Sequence, residues 1–153
     1  NQDDLEPLFQ SGALDRDIVV VVRFQGPKAN GMPELHKLTP LLSSIQDRGF
    51  QVALVTDGRM SGASGKVPAV VHLVPEAEHG GSLAKLRNGD SLRVDAINGE
   101  IEFLGDMEEL NKRQPCRRTN PDIVGCGREL FSLNRASISS ADQGASYLFA
   151  STG

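Results

Sequence analysis

A run of apolar, mostly β-branched residues that ends in a charge, Ile18–Phe24 (IVVVVRF), is the feature that most constrains the fold of this 153-residue chain. β-Branched side chains favour strands, and a strand without polar alternation needs cover on both faces. Phe50–Thr56 alternates like a strand, Val67–Val74 is a further apolar run, and a predicted helix separates Ile18–Phe24 from Phe50–Thr56. A chain of this length buries roughly two thirds of its unfolded surface, enough for one core. The sequence therefore predicts a mixed α/β fold, dominated by its sheet.

The segment between the first two strands is predicted to contain a loop and then a helix. Two glycines and a proline in Gln25–Met32 indicate a loop. Pro33 suits the first position of a helix whose leucines recur at helical spacing. Pro40 is expected to kink or interrupt this helix, and Gly49 is expected to end it.

Turn and capping signals organise the rest of the chain. Asn98-Gly99 stands between two alternating segments and predicts a β-hairpin with a type I′ turn. Asp106 is expected to cap a helix, and Glu129–Ser137 is expected to form another. Residues 1–13 are predicted to be an extended lead, and residues 14–153 a single domain.

Charge and composition argue against several classes of function. Sixteen basic and twenty acidic residues give a net charge of −4, whereas binding to nucleic acid or a membrane surface needs a basic face. No apolar run approaches the roughly 20 residues of a membrane-spanning helix. Cys116 and Cys126 are too few for a disulfide framework, which favours a reducing, cytoplasmic setting. The chain starts at Asn1 instead of a methionine, which suggests a piece of a longer protein.

The most unusual segment is Gly58–Lys66, a loop rich in glycine and serine that lies between two predicted strands. It is not a phosphate-binding P-loop, because Met60 and Val67 replace the required glycine and hydroxyl residue. It is not a nucleophile elbow, because Lys66 replaces the final glycine. With Arg59 and Lys66 the loop is suited to an anionic ligand. A tight connection without a ligand is equally consistent with the composition.

The other candidate residues have ordinary structural explanations at this stage. Glu34 begins a predicted helix, where a carboxylate interacts favourably with the helix dipole. His36, His72 and His79 lack the close spacing of histidine metal sites. The two cysteines lack a Cys-x-x-Cys spacing. The residues alone therefore indicate an α/β domain with a candidate anion-binding loop.

Two long motifs resemble signatures of the family of dihydroxy-acid and 6-phosphogluconate dehydratases. They are VVVRFQGPKANGMPELH at Val20–His36 and VTDGRMSGASGKVP at Val55–Pro68. The resemblance continues, from about Leu14 to Ala145, through Pro75–Ala77, Gly80-Gly81, Arg87–Asp90 and Gly127–Phe131. Phe24-Gln25 and Lys28–Asn30 favour the phosphogluconate branch, since other branches typically carry Tyr-Glu and glycines there.

The resemblance implies that the chain is a C-terminal domain. Such domains resemble the swivelling, β-barrel-like domain of aconitase-type enzymes, with flanking helices. They pack against a larger N-terminal domain whose cysteines hold an iron–sulfur cluster. That domain also supplies most ligands of a neighbouring Mg²⁺ in members that have one. Cys116 and Cys126 do not match cluster-ligand positions.

The resemblance also implies roles for individual residues. Ser61 matches the serine that acts as general base, and Glu34 matches the glutamate that reaches Mg²⁺ from this domain. In members of the family a cluster iron acts as a Lewis acid on the leaving hydroxyl, and a nearby cation holds the serine as an alkoxide. By charge and proximity to Ser61, we add Arg59, Lys66 and Ser64 as candidates for substrate binding.

Three functions follow as alternatives. The first is dehydration of 6-phosphogluconate to 2-keto-3-deoxy-6-phosphogluconate, a step of the Entner–Doudoroff pathway. The second is a sister reaction on an unphosphorylated sugar acid or a branched dihydroxy acid. The third is a stand-alone anion-binding or interaction module without catalysis. We expect the full-length protein to be a cytoplasmic homodimer, and the isolated chain to be inactive because it lacks cluster ligands.

Overall fold

Two small sheets organise the residues that this computed structural model describes, which are 4–62, 65–118 and 129–148. The strands are β1 (Ile18–Val22), β2 (Val52–Thr56), β3 (Ala69–Val70), β4 (Leu92–Asp95) and β5 (Glu100–Phe103). The first three form a parallel sheet with β2 in the middle, and β4 pairs with β5 as an antiparallel hairpin. The mixed α/β class is thus confirmed, while the described strands close no barrel.

Short helices connect and cover these strands. They are α1 (Leu5–Gln10), α2 (Pro27–Asn30), α3 (Leu38–Asp47), α4 (Ser82–Lys85), α5 (Met107–Lys112) and α6 (Ser132–Ser137). Single turns of 3₁₀-helix lie at Ala77–His79 and Ala141–Gln143. Across the described ranges, no helix is both long and apolar enough to cross a membrane.

The core lies between α3 and the parallel sheet. Leu38, Leu42 and Ile45 follow one another at helical spacing on α3, and each is at most 1% exposed. All five residues of β2 are buried. Burying a leucine or isoleucine side chain is worth roughly 1.5–3 kcal/mol, so these contacts are a main source of stability. Other members of the cluster are Leu5, Leu14, Val20, Val22, Leu35 and Val67.

β1 is an edge strand, which limits its burial. Val20 and Val22 are buried, whereas the other three residues are half-buried. On its unpaired side β1 borders a groove of about 510 Å³, lined also by α1 and by residues 86–92. The predicted burial on both faces is therefore wrong for β1, whereas β2, which has a strand on each side, is fully buried.

The helix predicted from Pro33 begins later than expected. α3 starts at Leu38, which makes Pro40 the third helical residue. An N–H in the first turn has no acceptor within the helix, so a proline there removes no hydrogen bond, and α3 is not interrupted at Pro40. Gly49 follows the helix with φ +98°, as its predicted role as a stop requires. The predicted loop Gln25–Met32 contains the single turn of α2.

The hairpin forms where predicted, but its turn differs. The connection spans residues 96–99, and only Gly99 has a positive φ, +71°. A type I′ turn needs positive φ at both central residues, so that prediction is wrong. The Asp95 carboxylate instead accepts hydrogen bonds from the backbone N–H groups of Ile97 and Asn98. These bonds hold the turn.

The two ends of the chain also show how packing modifies the predicted elements. The expected extended lead contains α1, because Leu5 is buried and Phe9 packs against the core. Asp106 caps α5 as predicted, accepting hydrogen bonds from the N–H groups of Glu108 and Glu109. The helix expected over 129–137 is shorter, beginning at Ser132.

Candidate functional site

The carboxyl ends of β1 and β2 lie side by side because the two strands are parallel and Val22 pairs with Thr56. The segments that follow these strands, residues 23–37 and 57–68, therefore meet at one edge of the sheet. Ligands bind preferentially at such an edge in open parallel sheets. Most of the site residues predicted from the sequence fall in these two segments.

Glu34 and Arg59 make direct contact across this edge. The Arg59 Nη1 donates to Glu34 Oε1 at 3.0 Å, and Arg59 Nε donates to the Met32 carbonyl at 2.7 Å. Their backbones also form an isolated parallel β-bridge. The side chains are 44% and 47% exposed, and an ion pair at such exposure contributes about 0–1 kcal/mol. Both groups therefore remain available to a ligand.

Ser61 lies two residues beyond Arg59 and is half-buried. Its hydroxyl makes no hydrogen bond within the described ranges, which leaves the oxygen free for a reacting molecule. The segment is anchored on both sides of Ser61, since Met60 packs against the core and Val67 is 3% exposed. The structure thus brings Ser61, Arg59 and Glu34 to the same edge.

The other two predicted site residues are not part of this contact. Lys66 Nζ lies 2.7 and 2.9 Å from the carboxylate oxygens of Asp47, at the end of α3. This ion pair is also exposed, so Lys66 keeps its charge available to an anion. Ser64 lies outside the described residues.

Asp57 is a buried carboxylate to which the sequence analysis assigned no role. It is 0% exposed and accepts backbone hydrogen bonds from Phe24 and Gln25, at 3.1 and 2.9 Å, and from Ala77 at 2.9 Å. The signal available in the sequence is its place directly after a fully buried strand.

Glu76 is a second buried carboxylate that the sequence did not reveal. It is 6% exposed and accepts hydrogen bonds from the backbone N–H groups of Lys28 and Ala29 at the start of α2. Gly26 permits this approach, since a Cβ there would lie 1.8 Å from Glu76 Oε2. Burial raises the pKa of the Glu76 carboxyl, and the bonds from Ala29 and Lys28 partly offset this.

We expect Glu76→Gln to change how stability depends on pH. Because the pKa of Glu76 is raised in the folded state, the folded protein binds this proton more tightly than the unfolded chain. Wild-type stability should therefore fall relative to E76Q as the pH rises from about 4.5 through the folded-state pKa, and then level off. Urea unfolding of both proteins across this range measures the difference. Parallel stability curves would contradict the raised pKa.

The described residues alone do not form a complete metal or cluster site. They contain no group of three or more His, Cys, Asp or Glu side chains placed to hold a metal ion. The Cys116 thiol instead accepts a hydrogen bond from Arg23 Nη1 at 3.1 Å, and Cys126 lies outside the described residues. An iron–sulfur cluster is therefore not supported on the described part of this chain. Glu34 fits a single carboxylate ligand of a shared Mg²⁺.

Comparison with known families identifies the chain. A sequence model of the family described as "Dihydroxy-acid/6-phosphogluconate dehydratase C-terminal" matches residues 1–145. The chain belongs to this family. The match covers both segments at the sheet edge, including Glu34, Arg59 and Ser61, and it confirms the resemblance inferred from the motifs.

Dehydratases are among its relatives. Phosphogluconate dehydratase of Pseudomonas aeruginosa is 59% identical over 145 residues, 95% of this chain and 24% of the relative. That of Escherichia coli K12 is 58% identical over 149 residues, again 95% and 24%. Dihydroxy-acid dehydratase of Pyrococcus furiosus is 44% identical over 117 residues, 74% and 20%. The chain thus spans about a quarter of the length of these relatives.

Proposed function

We propose that this chain is the C-terminal domain of a phosphogluconate dehydratase, a hydro-lyase that forms 2-keto-3-deoxy-6-phosphogluconate from 6-phosphogluconate. The observation that carries the proposal is the joint position of Ser61, Arg59 and Glu34 at one sheet edge. They lie in a chain that is 58–59% identical to two phosphogluconate dehydratases over 95% of its length.

The proposed reaction is an elimination of water followed by a tautomerisation. A base removes the proton from C2, beside the carboxylate, and the hydroxyl group on C3 takes up one proton and leaves as water. The resulting enol becomes the 2-keto acid when its O–H releases a proton and C3 is protonated, so the net change is the loss of one water molecule. We assign the base to Ser61, because its hydroxyl is free of other hydrogen bonds within the described ranges and lies at the candidate ligand edge.

Arg59 is proposed to bind a substrate oxyanion. A guanidinium group binds a carboxylate or phosphate with two parallel hydrogen bonds, which are stronger than its single bond to Glu34. The exposed Arg59–Glu34 pair is weak enough for a substrate to replace it. Lys66 and Ser64 are proposed as further contacts to the phosphorylated sugar acid.

The cofactors and partners belong to the full-length protein. We propose that an N-terminal part holds the iron–sulfur cluster and most Mg²⁺ ligands, while Glu34 supplies one carboxylate from this chain. A bound Mg²⁺ would supply positive charge next to the substrate. In this proposal the domain has a swivelling, barrel-like architecture, packs against the N-terminal domain, and works in a cytoplasmic homodimer.

Turnover of the full-length protein on three substrates tests the proposed function. The assay follows 2-keto acid formation without oxygen, with the cluster content recorded, on 6-phosphogluconate, gluconate and a branched dihydroxy acid. We expect kcat/KM for 6-phosphogluconate to exceed that for the two unphosphorylated acids by at least about tenfold. A substrate without the phosphate would leave the phosphate-binding cation of the site unpaired. The isolated 153-residue chain should be inactive.

Other outcomes of this assay favour the alternatives. Equal rates with and without the phosphate would contradict the phosphogluconate assignment. A preference for the branched acid would favour a dihydroxy-acid dehydratase, the activity named for the 44% identical relative. No turnover on any substrate by cluster-loaded protein would favour a non-catalytic binding module.

A further inference from the structure

Asp57 joins three separate segments of the chain. Its Oδ1 accepts from the Gln25 N–H at 2.9 Å, and its Oδ2 accepts from the N–H groups of Phe24 and Ala77, at 3.1 and 2.9 Å. The first two donors follow β1, the third precedes α4, and Asp57 itself follows β2. Because the carboxylate is fully buried, water cannot replace any of these bonds. The three segments are therefore fixed relative to one another.

The backbone around Asp57 is closely packed and locally strained. Phe24 has φ +61°, an unusual value for an aromatic residue, and both its own N–H and the next one bond to Asp57. On the other side, a Cβ at Gly58 would lie 2.6 Å from the Gln25 Cβ. Asp57 and Gly58, which follow β2, thus both contact the segment that follows β1.

These contacts form a closed ring with the Glu34–Arg59 pair. The Asp57 carboxylate accepts a hydrogen bond from the Gln25 N–H, and the chain continues from Gln25 through α2 to Met32. The Met32 carbonyl then accepts a hydrogen bond from Arg59 Nε, which returns the ring to the segment after β2. Among the described residues, Asp57 and Arg59 both connect that segment to the segment after β1 by hydrogen bonds. Ser61 follows Arg59 by two residues, so the position of Ser61 depends on the hydrogen bonds of both Asp57 and Arg59.

We infer that Asp57 is a positioning residue for the dehydration, because it fixes the segment carrying Arg59 and Ser61 against the segment carrying Glu34. It acts through the backbone and does not touch the substrate. The inference rests on the proposed function. It predicts that weakening the hydrogen bonds to Asp57 lowers the rate of the chemical step more than it weakens substrate binding.

Two variants of the full-length protein test this role. In Asp57→Asn, one oxygen can still accept from Gln25, but the amide nitrogen then faces the Phe24 and Ala77 N–H groups. Ala77→Pro removes only one donor, at the first residue of a 3₁₀ turn, a position that suits proline. Ala141→Pro is the matched control, since it alters the first residue of another such turn, whose N–H makes no hydrogen bond within the described residues.

The measurements are kcat and KM for 6-phosphogluconate per folded, cluster-loaded site, together with the unfolding temperature. We expect kcat to fall about a hundredfold in D57N and about tenfold in A77P, with KM within about threefold of wild type, because a small misplacement of reacting groups has effects of this size. A141P should keep the wild-type kcat. If D57N does not fold, A77P alone decides.

The outcomes separate this role from a purely structural one and from the proposed function. A lower unfolding temperature with unchanged kcat per folded site, in both variants or in A77P alone, would overturn the positioning role. A cluster-loaded wild-type protein without turnover would contradict the proposed function, and the positioning role with it. Active wild-type protein with slow D57N and A77P variants would support both.

Discussion

Ser61→Ala in the full-length protein is expected to lower dehydratase turnover about 10²–10⁴-fold, the range typical of removing a general base. The Ser61 hydroxyl makes no hydrogen bond to another described residue, so its removal should disturb the fold little. KM for 6-phosphogluconate should change much less than kcat, because Arg59 and the remaining contacts still bind the substrate. Steady-state kinetics under anaerobic conditions measure both constants.

Two controls make the Ser61 result interpretable. The cluster absorbance and the unfolding temperature of S61A should match those of wild type, which would exclude a general loss of structure. Ser82→Ala removes an exposed hydroxyl at the start of α4, outside the two segments that form the sheet edge, and should leave turnover unchanged. Near-normal turnover of S61A would contradict the assignment of the base.

Local sequence patterns predicted those parts of the fold that depend on neighbouring residues. β2, the hairpin and the Asp106 cap form where expected, because apolar runs, alternation and capping side chains act over a few residues. The start of α3 at Leu38 depends instead on Glu34, which pairs with Arg59 in a β-bridge and extends the chain there. That contact joins residues 25 positions apart, beyond any local pattern.

The candidate site was predicted in its residue types but not in its geometry. Composition was equally consistent with an anion-binding loop and with a tight connection, and the family resemblance assigned Ser61 and Glu34. Neither source predicted the Glu34–Arg59 contact or the buried role of Asp57, whose partners lie 32, 33 and 20 residues away in the chain. An aspartate before a glycine is typical of a turn, so its burial becomes visible only when β1 and β2 are paired.

Gly81→Ala is expected to lower the stability of the protein strongly, although the backbone angles of Gly81 are ordinary. A Cβ at Gly81 would lie 2.3 Å from the carbonyl oxygen of Pro75, a backbone atom that cannot rotate away. Moving Pro75 would displace the adjacent Glu76 and Ala77, which hold α2 and Asp57. Overpacking of this kind lowers the free energy of unfolding by about 1–3 kcal/mol or more.

Gly65→Ala is the matched control for Gly81→Ala, and urea unfolding of both variants measures the difference. A Cβ at Gly65 meets no atom of the described residues within 4 Å, and the φ of Gly65 lies outside the left-handed region, so G65A should be neutral or more stable by up to about 1 kcal/mol. Equal stability of the two variants would show that Pro75 moves freely. Because Pro75 leads directly to two groups that fix the sheet edge, such freedom would also argue against a rigid site around Asp57.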